Sequence, residues 1–430
     1  MSRHDPRSGR AARDRGEARA RGEPGKVGRA VGARDAPGSE RDPRSRRALS
    51  NLGGEVRARG EPALAAMLAR AWERAAAEPP DVLTHGFHSW PARMHWAVAR
   101  TVIEALAPRS IVDPFSGGGT VLIEARVAGA RALGVDLNPL ARVLSLVKLD
   151  ARDAAGRARL VARAEAVAAR SEARVRGRVP IRVELPREET QWFAPHVLKE
   201  LGGLLEEIRT EPEADDRRAL EMVFSSILVK VSRQRADTAE HFTARRIRKG
   251  LPTELFLRKA RELAARLEAL AAVTKGPMPR VVEGDARELA DIAGRARFDL
   301  VLTSPPYGGT YDYVKHHARR IAWLGLDDSA LRRFELGSRR SLSGPDAVAH
   351  WERDVDAMLG AMARVVRPGG RVVLVVGDAQ IGRTRVEAPA QLSRLGRRHG
   401  LVPTAIASQA RVDRTGAAPR EEHIALFTRR

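Results

Sequence analysis

Four residues, Ser304-Pro305-Pro306-Tyr307, close an apolar run that begins at Phe298. Two consecutive prolines fix the backbone, because each ring locks its own φ and the first is restricted again by preceding the second. A backbone held this way can aim a carbonyl oxygen. The serine hydroxyl before it can hydrogen-bond an amino group, and the aromatic ring after it offers a face on which a planar base can stack. A second group stands earlier, in Ile111-Val112-Asp113-Pro114-Phe115-Ser116-Gly117-Gly118-Gly119-Thr120. A strand that ends in glycines and opens a helix admits a ligand close to the backbone and presents unpaired N–H donors. Asp136 follows about 20 residues later, the spacing at which dinucleotide-type folds put an acid on ribose hydroxyls, with Asn138 and Pro139 starting the next turn. Gly284-Asp285-Ala286 supplies a third strand-end carboxylate. Each aspartate alone also suits a helix cap. Three in register, at Asp113, Asp136 and Asp285, ask for a ligand as well.

Positioning these groups requires strands that end on one edge. β-rich runs stand at Ser110 to Phe115, Ala130 to Asp136, Arg280 to Asp285, Phe298 to Ser304 and Arg371 to Asp378. Helical periodicity fills much of the sequence between them, as at Ile123 to Ala128 and Asp354 to Val366. The alternation predicts an α/β fold with a parallel, doubly wound sheet, whose ligands sit at the carboxyl edge. Val402 to Ser408 and His423 to Thr428 read as a long-looped hairpin that closes it. Between about Lys148 and Met278 the pattern turns helical, with Phe193, Val197, Leu201, Leu204, Leu205 and Ile208 at helix spacing. The expected organisation is therefore a basic tail over 1–60, the first part of the α/β domain over 61–148, a helical insertion over 149–278 and the rest of the domain over 279–430. The tail is read from composition: up to about Arg47 there is no aromatic and hardly a large aliphatic, too little apolar surface to offset ordering entropy.

Composition excludes some chemistry. The 430-residue chain has no cysteine, so it has no thiolate nucleophile, no thiolate metal site and no disulfide. No apolar run is long enough to span a bilayer and no cleavable leader is visible, which leads to the expectation of a soluble, cytoplasmic protein. The formal charge of +22 favours a polyanionic partner, although an arginine- and alanine-rich composition of this kind also follows from GC-rich coding.

The segment Asp113 to Thr120 resembles the cofactor motif of amino-methyltransferases, and Ser304-Pro305-Pro306-Tyr307 resembles their catalytic motif, an Asp, Asn or Ser followed by Pro-Pro and an aromatic. With serine first it is most similar to site-specific N4-cytosine DNA methyltransferases. His88-Ser89-Trp90-Pro91-Ala92-Arg93-Met94 resembles the stretch that precedes the first strand in these enzymes, and Arg367-Pro368-Gly369-Gly370 the turn into their fifth. The resemblance covers residues 85 to 148 and 280 to 428. It implies a class I methyltransferase fold, a Rossmann-like seven-stranded sheet, with S-adenosyl-L-methionine as cofactor. Asp113, Gly117, Gly118 and Gly119 would line the methionine side, Asp136 would hold the ribose hydroxyls and Asp285 would contact the adenine, with Phe115, Thr120 and Asn138 also in the cofactor site. Ser304 and the Pro305 carbonyl would accept hydrogen bonds from the target amine, Pro306 would stiffen the turn, and Tyr307 would stack on a flipped base. C5-cytosine methylation needs a cysteine nucleophile and is excluded. The insertion departs from the family's layouts, because it falls between the second and third strands.

Lys230, Arg233, Arg235, Arg245, Arg246, Arg248 and Lys249 form a dense basic cluster inside the insertion, with Gln234, Thr238 and His241 interleaved. Such side chains neutralise phosphates and reach base edges, and they equally form a solvated helix face with Asp237 and Glu240 as counter-charges. Tyr311, Asp312, Tyr313, Lys315, His316 and His317 either line the base pocket or pack the catalytic loop. His85, His88, His316 and His317 have no metal-ligand spacing. Three classes remain: methylation of a DNA base, at cytosine N4 or adenine N6, in a restriction-modification or solitary setting on double-stranded DNA; methylation of an RNA base such as guanine N2; and a non-catalytic nucleic-acid binder.

Overall fold

The computed structural model describes residues 53–430 apart from 238, 240, 244 and 412–419, so the tail reading up to residue 52 and the residues Thr238 and Glu240 lie outside the described residues. The last residues expected within the tail are instead ordered in the sheet. Val56–Gly60 is a strand, β1, paired antiparallel from Val56 opposite Gln409 to Gly60 opposite Ala405. An edge strand is held by its backbone ladder and tolerates charged side chains, which block further pairing, so Arg57 and Arg59 hid it from a reading based on apolar content.

Helix α1 (Pro62–Ala77) starts on a proline, where no intrahelical N–H is lost, and buries Leu68, Ala71 and Trp72. Helix α2 (Trp96–Leu106) is capped by the His95 side chain, which accepts from Ala97 N. Then come β2 (Ser110–Asp113), α3 (Thr120–Ala128), β3 (Arg131–Asp136) and α4 (Pro139–Leu149), the last capped by Asn138. The region expected to be helical contains α5 (Ala154–Arg176), α6 (Arg187–Thr190), α7 (Pro195–Arg209), α8 (Ala214–Leu228) and α9 (Leu251–Val273). The sheet resumes with β4 (Arg280–Glu283), α10 (Leu289–Ala293), β5 (Phe298–Thr303), α11 (Tyr313–Leu324), α12 (Ser329–Phe334) and α13 (Ala347–Val365). It ends with β6 (Val366–Gly377), a small ribbon of β7 (Ala379–Ile381) and β8 (Thr384–Val386), α14 (Ala388–Arg398), β9 (Leu401–Arg411) and β10 (Arg420–Arg429).

The main sheet runs β1-β9-β10-β6-β5-β2-β3-β4, parallel from β6 to β4 and antiparallel on the β10 side. Without the extra edge strand β1 this is the seven-stranded order of the class I methyltransferase fold, and it includes the expected closing hairpin. Arg367 to Gly370, expected as a turn before the strand, are instead absorbed into β6 opposite a register shift between Phe298 and Leu300. Side chains two apart share a face, so Val373 and Val375 pack with α1 and α2 while Val372, Leu374 and Val376 pack with α13 and α14. The helices α5 and α7 to α9 pack on each other, and their core takes in Leu140 and Leu144 of α4 and Trp323 of α11. Among the described residues no helix is long and apolar enough to cross a membrane.

Candidate active site

Strands β2, β3, β4 and β5 all end on one edge, and the pocket there is lined by Asp113, Phe115 to Gly118, Thr120, Asp136, Asn138, Asp285, Ser304 and Pro306. The glycine turn, the three strand-end acids and the start of the proline motif are thus brought together. Gly117 has φ +47, and a Cβ there would lie 2.9 Å from the Trp90 indole nitrogen. At Gly119 φ is +78, and a Cβ would lie 2.8 Å from Ser145 Oγ. Only glycine lets this turn lie flat against both neighbours.

Burial governs the electrostatics. Asp113 accepts from Thr303 Oγ1 at 2.6 Å and from Phe115 N at 3.1 Å, yet burial still pushes its carboxyl up to about 7. Asp136 accepts from Gly117 N at 2.7 Å and from Asn138 N at 2.9 Å, and burial raises it to about 6. Two acids held reluctantly anionic side by side suit a ligand that brings positive charge or hydroxyl donors. Beneath the turn, buried Lys148 donates to the Gly118 carbonyl, and desolvation holds its ammonium well below the usual lysine range.

The stretch before β2 is pinned from both sides. Thr84 donates to Lys148 O, His85 meets Glu124 at 2.7 Å, and His88 meets Ser225 Oγ of α8 at 2.9 Å. Lys259 of α9 donates to Phe87 O at 2.7 Å. This fixes Trp90, Ala92, Arg93 and Met94 as one wall of the pocket. Trp90 lies 4.4 Å from the His317 ring, and Asn138 Nδ2 donates to His317 Nδ1 at 2.7 Å. Burial lowers His317 to about 3, so it packs as a neutral ring.

Several expected residues take different places. Tyr307 does not line this pocket: its ring lies against Gly377, which has no Cβ to obstruct it, and its hydroxyl donates to Glu422 Oε1 at 2.5 Å. Pro305 is buried and is also absent from the lining. Asp285 lines the pocket, but its carboxylate caps Arg287 N and is paired with the Arg287 guanidinium, which also binds Asp354. Asn138 is committed to capping α4 and to His317. Of the residues after the catalytic motif, Tyr313 lines the pocket, Asp312 caps α11, and His316 is buried. The wall contributed by Leu331, Phe334, Glu335 and Leu336 carries no sequence signal and was not expected. Glu335 accepts from Tyr313 N at 2.5 Å, and burial raises it to about 7.

The basic cluster is not on a helix. It occupies the irregular connection between α8 and α9, where Gln234 and Phe242 form an isolated antiparallel bridge. Arg233, Arg235, Arg246, Arg248 and Lys249 are exposed, with Arg248 paired to Glu254, while Lys230 and Arg245 are half-buried. Asp237, from the same connection, binds Arg320 of α11 and accepts from Ser89 Oγ at 2.7 Å, tying the loop to the pocket wall. Among the described residues no group of three or more His, Asp or Glu is placed to hold a metal ion.

No family model matches the chain. It is similar to the Type II methyltransferase M.MvaI of Kocuria varians, 37% identical over 71 residues that make up 15% of this chain and 16% of the relative. It is also similar to the Type II methyltransferase M.BsoBI of Geobacillus stearothermophilus, 49% identical over 35 residues, 8% of this chain and 7% of the relative. The chain thus spans a small fraction of the length of either. Solved structures similar to it include TrmN from Thermus thermophilus, at 12% identity and TM-score 0.29 over 83% of this chain and 52% of that one. Another is the rRNA methyltransferase AviRa from Streptomyces viridochromogenes, at 15% identity and TM-score 0.31 over 82% of this chain and 94% of that one. Scores of this size carry no argument, and the fold assignment rests on the strand order above.

Proposed function

We propose that the chain binds S-adenosyl-L-methionine at the strand edge and transfers its methyl group to an exocyclic amine of a nucleic-acid base, cytosine N4 in double-stranded DNA. The observation that carries this reading is a single pocket whose lining runs from Asp113 and the glycine turn, past Asp136, to Ser304 and Pro306. The residues present fit the cofactor. Ser116 Oγ and Thr120 Oγ1 are buried without a partner beside the turn, as hydroxyls awaiting an amino or carboxylate group are. Asp113 would face the ammonium of the methionine end, and Asp136, with lone pairs left after two backbone bonds, would accept from ribose hydroxyls. Asp285 would hold its side of the adenine pocket through its pairing with Arg287 rather than as a free acceptor.

The cofactor would supply an electrophilic methyl on a sulfonium that departs as the neutral thioether, the methylated amine would lose its extra proton to water, and the protein's task is positioning. Ser304, which lines the pocket, accepts a hydrogen bond from the target amine, and the proline pair fixes the turn that places it. An acceptor there favours turning the nitrogen lone pair out of conjugation with the ring. The anchored basic loop beside the pocket would hold the phosphate backbone. The partial likeness to two Type II methyltransferases supports the reaction class, and the serine-led motif supports cytosine N4. Adenine N6 is the second choice of base on the same mechanism.

The test is to incubate the protein with S-adenosyl-L-methionine and either duplex DNA or structured RNA, digest, and quantify methylated nucleosides. N4-methylcytosine in DNA is expected. N6-methyladenine would overturn the base but not the mechanism. Methylguanine confined to RNA would overturn the substrate, and absence of both cofactor binding and methylation would overturn the reading.

A further inference from the structure

Phe242 is half exposed, at 50%, although its inner face is in contact. That face stacks on Trp192, with ring centroids 4.1 Å apart and planes inclined by 28°. Behind Trp192, the Arg319 guanidinium lies 4.2 Å from the indole centroid. Arg319 is itself buried, paired with Glu189 at 3.0 Å and bonded to Gln234 Oε1. Backbone bonds lock the outer layer: Arg233 N donates to Trp192 O at 2.8 Å, and Thr243 N to Arg233 O at 2.8 Å. The result is a three-layer stack of guanidinium, indole and phenyl, fixed at its base and open at its top.

Core packing does not explain an exposed ring at the end of a rigid column, and the charge around it narrows what would cover it. From Val229 to Gly250 the chain carries seven Lys or Arg residues against Asp237 and Glu240. Arg233, Arg235 and Arg246 of this segment are exposed. The two requirements, a flat π-surface and a polyanion, meet in a nucleic acid. The column also stands near the pocket. Arg319 lies six residues along α11 from Tyr313, which lines the pocket, a rise of about 9 Å.

We infer that the outer face of Phe242 is a stacking platform for an unpaired base of the substrate duplex, the Arg233, Arg235 and Arg246 side chains holding the flanking phosphates. This rests on the reading of the substrate as nucleic acid and adds a base-binding site to it. A duplex from which the target base is withdrawn leaves its partner base orphaned, and a platform on the loop anchored to the pocket wall would hold it. Stacking is tolerant of base identity, so the platform adds affinity more than sequence preference.

The experiment uses the full chain and a short DNA duplex carrying one unpaired 2-aminopurine, read by fluorescence anisotropy for affinity and by 2-aminopurine quenching for stacking. Phe242→Leu keeps apolar bulk and removes the ring, and Phe242→Trp keeps a ring. For Phe242→Leu the expected results are a roughly tenfold or greater loss of affinity and a loss of quenching, with the slope of affinity against salt unchanged because no phosphate contact is removed. Phe242→Trp should retain both. Parental affinity and quenching in Phe242→Leu would overturn the platform while leaving the nucleic-acid reading intact. A parent protein that binds neither duplex DNA nor its RNA counterpart at low salt would overturn the nucleic-acid reading and the platform with it.

Discussion

Asp113 gives the sharpest test, because removing its charge should move stability and cofactor affinity in opposite directions. The perturbation is Asp113→Asn, which preserves shape and leaves one oxygen to accept from Thr303 Oγ1 and Phe115 N. In the folded protein burial lifts the carboxyl from 3.8 to about 7. A raised acid contributes its full stability below its unfolded value and loses it as pH rises through the folded one. Between about pH 4 and 7 the unfolded chain ionises here while the folded chain stays protonated. The loss is about 1.4 kcal/mol per pH unit, or about 4 kcal/mol in all. Asparagine cannot ionise, so the cofactor-free variant should match the parent near pH 4 and exceed it at pH 8. The difference between the two profiles cancels the other raised acids, Asp136 and Glu335 among them. Cofactor binding should respond the other way, because an anion facing an ammonium makes a charge-assisted bond of about 1.5 to 3 kcal/mol that asparagine forfeits. Thermal unfolding from pH 4 to 8, with calorimetric titration of S-adenosyl-L-methionine at pH 8, measures both. Parallel unfolding profiles would refute the burial argument, and undiminished affinity would refute the placement of the methionine end.

Asp136→Ala should leave Gly117 N and Asn138 N without their acceptor and weaken cofactor binding by about 1 to 3 kcal/mol, read by the same titration. Tyr307→Phe keeps the ring against Gly377 and removes the bond to Glu422, so it should lower unfolding stability by about 1 kcal/mol and spare methyl transfer. Ser304→Ala should reduce methyl transfer with cofactor affinity retained, measured as single-turnover rate against binding. Reversing the exposed Arg233, Arg235 and Arg246 to glutamate should weaken nucleic-acid binding and flatten its salt dependence, and an unchanged slope would mark the cluster as a solvated surface.

The sequence was most legible where a pattern is local. Strands with buried β-branched runs, such as Ser110 to Asp113 and Phe298 to Thr303, and the helix carrying Val197, Leu201, Leu204 and Ile208 could each be read from a window of a few residues. The glycine turn and the three strand-end acids converge because parallel strands of one sheet end on one edge, a consequence of topology rather than of distance along the chain. What stayed hidden depends on pairing across long separations. Strand β1 exists because Leu401–Arg411 offers it a ladder about 350 residues away, and its own side chains say nothing of it. The pocket wall at Leu331 to Leu336 belongs to a six-residue helix and the turn after it, too short for periodicity to register. Tyr307 was placed by motif on the target base, but its position follows from Gly377 and Glu422, on strands that no motif connects to it.

The insertion illustrates the same point from the side of function. Read from sequence it is a separate helical block, and an appended block could be removed without consequence for the pocket. Its contacts argue otherwise. Arg320 is 1% exposed, and its guanidinium is neutralised by Asp237 from the α8–α9 connection, which also accepts from Ser89. Withdrawing that connection would leave a buried cation unpaired, a loss of about 3 to 5 kcal/mol. It would also take from Ser89 its carboxylate acceptor, leaving only the bond from Arg320 at 3.0 Å, and the next residue, Trp90, touches the glycine turn and lies tilted against His317. The loop that carries the exposed arginines and the wall that shapes the cofactor pocket therefore share one buried ion pair.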